Sequence, residues 1–224
     1  MTKIIQRRET IELRRQGKSY SEIKELVRVS KSSLSLWLRN IPLTDNQLKR
    51  IKNKKEKANE RFRETMRIKR EKRLSDYYEA QKGKWLPLST RELFLSGLFL
   101  YWGEGNKASR NTISISNTDP DVLKFSVLWM TKSLGIPKDS IKVALQLYND
   151  MDVGIAIDYW SRELEISKNQ FNKPYIKLST RSLVDQKGFG HGTCNVIAQK
   201  TEIKENLLMA IKAIADFYAE RAEI

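Results

Sequence analysis

The stretch Gly97-Leu98-Phe99-Leu100-Tyr101-Trp102-Gly103-Glu104-Gly105 decides how the C-terminal half of this chain is read. It closes a largely apolar run that opens at Glu92-Leu93-Phe94-Leu95-Ser96, greasy on every side rather than along one stripe, which is the pattern of a buried helix. That helix is expected from Ser89 or Thr90 to Gly103, ending at two glycines that flank one carboxylate. A carboxylate at the carbonyl end of a helix meets the negative pole of the dipole. Glu104 is therefore costly where it stands unless a cation compensates, and a divalent metal would do so.

Downstream the periodicity alternates between strand and helix. Thr112 to Asn117 alternates as a strand, and Asp119-Pro120-Asp121 opens a helix running to Leu134-Gly135. Ile141 to Leu147 alternates again, and a helix follows from Met151 or Asp152 to Leu164. Tyr175 to Leu178 and Gly192 to Ala198 read as strands, and Glu202 to Ala219 as a closing amphipathic helix. Asp150 and Asp152 read as a solvated cap, and Cys194 as a buried thiol.

Upstream, Gly83-Lys84-Trp85-Leu86-Pro87-Leu88-Ser89-Thr90 punctuates the pattern and marks a boundary. Before it, Thr44-Asp45-Asn46-Gln47 reads as a capping box opening one long helix. Between Lys49 and Arg73 stand 13 Lys and Arg against four Glu, with no Gly or Pro. Only a narrow apolar stripe (Leu48, Ile51, Ala58, Phe62, Met66) accompanies them. Such a helix buries little core and is suited to lie along a polyanion, with Lys54, Lys55 and Arg63 as contacts. Glu56, Glu60 and Glu64 are expected to serve as i, i+4 partners for its cations.

Further upstream, residues 5–16 form a helix stopped by Gly17. Ser19-Tyr20-Ser21-Glu22 reads as a capping box for a short helix, Tyr20 to Val27, carrying Ile23 and Val27 on one face. Arg28-Val29 makes a turn, and Ser30 caps a third helix, Lys31 to Arg39, with Leu34, Trp37 and Leu38 on a shared face. Residues 5–40 resemble the helix-turn-helix of resolvases, transposases and many regulators. The resemblance implies that Lys31, Ser32, Ser33 and Ser35 meet bases or phosphates and that Arg39 meets the backbone. Leu36 interrupts this polar face and is expected against a neighbouring element. Arg28 stands where such turns usually carry glycine, which leaves the turn open or reshaped.

The charge agrees with this placement. Lys+Arg number 42 and Asp+Glu 27, a net charge of +15. Residues 1–90 hold 25 cations and 11 acids, an excess of 14, while residues 91–224 hold 17 and 16, an excess of one. A local excess of this size points to phosphate backbones, with double-stranded DNA as the expected partner. One cysteine excludes an internal disulfide and a multi-cysteine zinc site. No apolar run reaches the roughly 20 residues of a membrane span. Met1-Thr2-Lys3-Ile4-Ile5-Gln6 lacks a signal-type segment, so a cytoplasmic location is expected, nucleoid-associated in a prokaryote.

The nonapeptide at 97–105 is similar to the LAGLIDADG motif of homing endonucleases, with Glu104 on the metal-binding acid and Gly105 on the closing glycine. Residues 90–215 follow the αββαββα order of that family at its start, middle and end. The resemblance implies a homodimer in which two motif helices pack side by side. Glu104 would be a ligand for Mg²⁺, and metal-bound water would attack phosphorus. Lys173 or Lys177 would supply the family's basic group. Phe99 stands where the family has glycine, and Ser96, Gly97 and Gly103 are left to keep the helices close. His191, in Gly188-Phe189-Gly190-His191-Gly192, is a candidate general base or phosphate contact, or else a surface loop residue.

The expected molecule is α+β: an all-α helix-turn-helix at 1–43, a basic linker helix at 44–88 and a LAGLIDADG-like α/β domain at 89–224. Its expected activity is DNA binding, with metal-dependent cleavage or, alternatively, non-catalytic regulation. A recombinase accessory or RNA-binding role rests on charge and the helix pair alone.

Overall fold

The N-terminal helices begin and end where their caps stand. In the computed structural model, residues 3–51, 53–180 and 189–221 are described, and the chain forms two units, Met1–Leu86 and Pro87–Ile224. In the first, α1 (Lys3–Arg15) closes at Gly17, whose φ of 93° lets its amide reach the Arg14 carbonyl at 2.9 Å. Ser19 and Glu22 make the expected capping box for α2 (Tyr20–Val27), and the Ser30 hydroxyl accepts from the Ser33 amide to cap α3 (Lys31–Leu38). Between α2 and α3 the turn keeps the left-handed conformation, with Arg28 at φ 52° and ψ 46°. It is neither open nor reshaped, and the arginine bears the Cβ strain that glycine would avoid. Ile23, Val27, Val29, Leu34 and Leu38 form the core, with Trp37 packed against it.

The basic stretch is two helices rather than one. α4 (Asp45–Arg50) carries the Thr44–Gln47 capping box and stops at Ile51, and Asn53 caps α5 (Lys54–Trp85) through the amides of Lys55 and Glu56. At 32 residues α5 is about 48 Å long, and it runs through Gly83 instead of ending there. It belongs with the three N-terminal helices in the first unit.

In the second unit the described elements follow α6 (Thr90–Glu104), β1 (Thr112–Asn117), α7 (Pro120–Lys132), β2 (Lys142–Tyr148), α8 (Val153–Leu164), β3 (Tyr175–Lys177), β4 (Thr193–Gln199) and α9 (Thr201–Ala219). Asp152 caps α8 by accepting from the Ile155 amide at 2.7 Å. The four strands form one sheet in the order β1-β4-β2-β3; β4 is antiparallel to β1 and β2, and β3 is parallel to β2. β1 and β2 therefore point the same way with β4 between them. Among the described residues the order is αβαβαββα, with one strand rather than a hairpin between α6 and the next helix.

Alternation along the strands sorts the sheet's two faces. Ile113, Ile115, Val143, Leu145, Leu147, Cys194, Val196 and Ala198 point into one core shared with α6 to α9. Burial raises the Cys194 thiol pKa well above its ordinary value. Gly97 is part of the same core: a Cβ there would sit 2.0 Å from Cδ1 of Trp129 on α7. Trp129 also donates Nε1–H to the Phe94 carbonyl at 3.2 Å and stacks on Tyr101 at 6.1 Å, so α6 and α7 are keyed together.

Candidate nucleic-acid interface

The first unit carries a clamp that the charge pattern hid. Arg14 and Glu60 are both buried, and the guanidinium donates to Glu60 Oε2 at 2.8 Å, to the Ile41 carbonyl at 2.9 Å and to the Lys18 carbonyl at 3.2 Å. The other Glu60 oxygen accepts from Arg63 at 2.8 Å and from the Tyr20 amide at 3.3 Å, and the Ser19 hydroxyl donates to Glu56. Arg63 lies over the Tyr20 ring at 4.1 Å and Arg14 at 4.9 Å. Burial raises the Tyr20 pKa, against the pull of these two cations. Glu56 and Glu60 are thus docking groups for α5 on the three-helix core, not members of a solvated i, i+4 ladder. Arg67 fits that ladder, held by Glu64 and Glu71.

Docked in this way, α5 faces α2 and α3 across a cleft of about 1140 Å³. Lys31, Ser35 and Arg39 line its α3 side, and Phe62, Arg63, Met66, Arg67, Arg70 and Leu74 its α5 side. Ser32 lies off the cleft and is exposed; its hydroxyl and that of Ser33 each meet Ser30 Oγ at 2.9 Å. Leu36 is 60% exposed, so the neighbour expected over it is not found among the described residues of this unit. Lys55 is exposed on the first turn of α5, and the Lys54 side chain lies outside the described residues. The sequence reading missed Lys24, Arg67 and Arg70. A helical-wheel projection placing Arg63, Arg67 and Arg70 beside the docking glutamates would have found the arginines.

In the second unit, Glu104 is exposed as the last residue of α6. Side chains meet the carbonyls at this end of α6 and in the turn after it. Lys107 Nζ donates to the Trp102 carbonyl at 2.9 Å, and Lys204 of α9 donates to the Asn106 carbonyl and to the Tyr101 hydroxyl. Tyr101 itself donates to the Asn106 carbonyl at 2.5 Å. Lys204 is fully buried, and burial with Lys107 nearby lowers its pKa; burial also pushes the Tyr101 hydroxyl up to about 12. Lys204 was legible in hindsight, since it shares an i, i+3, i+7 stripe with Leu207 and Ile211.

The four catalytic candidates are not brought together. Glu104 precedes Gly105, which bridges to Ile115 on β1, whereas Lys177 lies on β3 at the opposite edge of the sheet. Three inter-strand steps separate those edges by about 14 Å. Lys173 is exposed ahead of β3, and Lys177 sits over the Tyr148 ring at 5.1 Å. The His191 ring stacks on Tyr159 of α8 at 3.6 Å, and its carbonyl accepts from Trp160 Nε1 at 2.8 Å. Gly188 of its loop lies outside the described residues. Among the described residues there is no group of three or more His, Cys, Asp or Glu placed to hold a metal ion. Of the four candidates Glu104 alone is an oxygen ligand, and a hard ion such as Mg²⁺ takes six oxygens.

Opposite the core, the sheet presents Thr112, Ser114 and Ser116 of β1, Thr193, Asn195 and Gln199 of β4, Lys142 and Gln146 of β2, and Tyr175 and Lys177 of β3. Ala144, Tyr148 and Ile197 share this face with them, Ser114 and Tyr148 are buried, and no strand contributes a carboxylate to it. Gly97 is turned inward against Trp129, which leaves Ser96, Phe99 and Gly103 as the exposed line of α6. No helix among the described residues is long and apolar enough to cross a membrane. No family model matches this chain, and no curated protein or solved structure matches it.

Proposed function

We propose that the chain binds double-stranded DNA, with α2 and α3 acting as a helix-turn-helix and the carboxylate-free face of the sheet as a second contact. The observation that carries this reading is the joint placement of cations and short polar side chains. Lys31, Ser35, Arg39 and Arg70 line one cleft of the first unit, and the sheet face has donors without carboxylates. Short polar side chains at the start of a helix suit base edges, and arginines flanking them suit phosphates. Regulation by binding alone is the primary form of this reading, because the candidate residues of one chain offer Mg²⁺ a single carboxylate. The motif resemblance to LAGLIDADG proteins enters here as a likeness of α6 and its end, beside an element order among the described residues that departs from αββαββα.

Cleavage by a homodimer is the second reading. It is favoured by Glu104, exposed and without an ion-pair partner among the described residues, and it requires a second copy to bring a second carboxylate. Selection of bound fragments from random duplexes, followed by incubation with Mg²⁺, tests both. Specific retention of duplex, lost on Ser32→Glu with Arg39→Glu, supports binding. Cutting by the wild type that disappears in Glu104→Ala, with affinity unchanged, establishes the nuclease. An affinity for duplex that the α3 changes leave untouched ends the helix-turn-helix reading.

A further inference from the structure

The cleft between α3 and α5 is more apolar than a phosphate track needs to be. Phe62 is 66% and Met66 48% exposed, both along its α5 wall, and Leu74 continues the line one face further on. Beyond the cleft the same side of α5 carries Tyr77, Tyr78 and Trp85, all exposed. At 100° per residue, Phe62, Met66, Leu74, Tyr77, Tyr78 and Trp85 fall within one half of the helix, and Arg63, Arg67 and Arg70 fall among them. Large apolar side chains left in water beside cations mark a surface with a partner.

We propose that this cleft and the helix face continuing from it bind an unpaired nucleic-acid strand. The phosphates would lie on Lys24, Lys31, Arg39 and Arg70, and bases would pack on Phe62, Met66 and the tyrosines beyond. The inference rests on the reading of the first unit as the nucleic-acid-binding part of the chain, and deepens it. A duplex hides its base faces and shows only sugar and phosphate at its flank, so Phe62 and Met66 would gain nothing from it. An unpaired strand exposes a flat face at every base and a charge at every link, which suits a wall where Phe62 and Met66 stand beside guanidiniums and further rings follow. Lys24, Lys31, Arg39 and Arg70 have no ion-pair partner among the described residues, so they face an incoming anion uncompensated. A second copy of α5 would bring its own cation excess into the cleft and be repelled.

The test uses the full chain and one labelled oligonucleotide, presented single-stranded and annealed to its complement, with affinity read by fluorescence anisotropy. Phe62→Ala with Met66→Ala is expected to weaken single-strand binding about tenfold and to leave duplex binding at the wild-type level. Both side chains are exposed, and the single variant Arg70→Gln gives an independent check: it should lower single-strand affinity and flatten its salt dependence. No single-strand binding under conditions where the duplex is held overturns the inference and spares the duplex reading. Single-strand binding without duplex binding does the reverse. Unchanged affinity in both variants, or displacement of the strand by an acidic helical peptide but not by unlabelled strand, assigns the cleft to another partner and sinks the proposal.

Discussion

Gly97 and Gly103 lie six residues apart on one helix, yet their surroundings are opposite. A methyl group on Gly97 would collide with the Trp129 ring, and one on Gly103 would meet nothing within 4 Å. Gly97→Ala should therefore cost about 1–3 kcal/mol through overpacking, while Gly103→Ala should gain about 0.5–1 kcal/mol from helix propensity. Urea denaturation of the two variants separates these signs. Tyr101 and Lys204 make a second pair with opposite behaviour. Between pH 10 and about 12 the unfolded chain releases the tyrosine proton and the folded chain keeps it, so stability falls as pH rises. The slope is up to about 1.4 kcal/mol per pH unit, and Tyr101→Phe should remove that part of the fall. For Lys204 the lowered pKa means that the burial penalty is full at low pH and fades as pH rises toward the ordinary 10.5. Its signature, a gain in stability on approaching that value, should vanish in Lys204→Met.

The individual elements were largely legible, because caps and periodicity are local. The boxes at Ser19 and Thr44, the stop at Gly17 and the proline opening α7 each mark a helix boundary within a few residues. What the sequence hid was the docking of α5. Glu56, Glu60 and Glu64 recur at the spacing of a solvated ladder, and nothing local distinguishes the one that pairs with an arginine 46 residues away. The break at Ile51–Asn53 was missed for a similar reason, since an Asn cap inside a basic run resembles its neighbours. Removing Glu60 leaves Arg14 buried without its counter-charge and the Tyr20 amide without its acceptor. Glu60→Ala should cost about 3–5 kcal/mol, whereas Arg63→Ala, at the exposed end of the same pair, should cost under about 1 kcal/mol. Thermal unfolding of the first unit, followed through Trp37 fluorescence, distinguishes them.

Over the whole molecule, charge and core are divided between the units. The excess of 14 cations falls in residues 1–90, whereas the large core with the sheet falls after Pro87. Affinity for duplex should therefore depend steeply on salt, and the dependence should reside in the first unit. Replacing Lys31, Arg39 and Arg70 with Gln should lower the log–log slope by about 0.9 for each phosphate that is no longer neutralised, while replacing Lys124, Lys132 and Lys138 should leave it unchanged. The candidate site was less legible than the fold, because it depends on which strands become neighbours. Lys177 and Glu104 look like plausible partners along the chain, and the order β1-β4-β2-β3 sends them to opposite edges. α5 has one more consequence. Its first two turns are pinned by Glu56 and Glu60, and from Glu71 to Trp85 every side chain faces solvent. Buried contacts therefore anchor only the root of α5, and amide hydrogen exchange should be slow over its first two turns and faster toward Trp85.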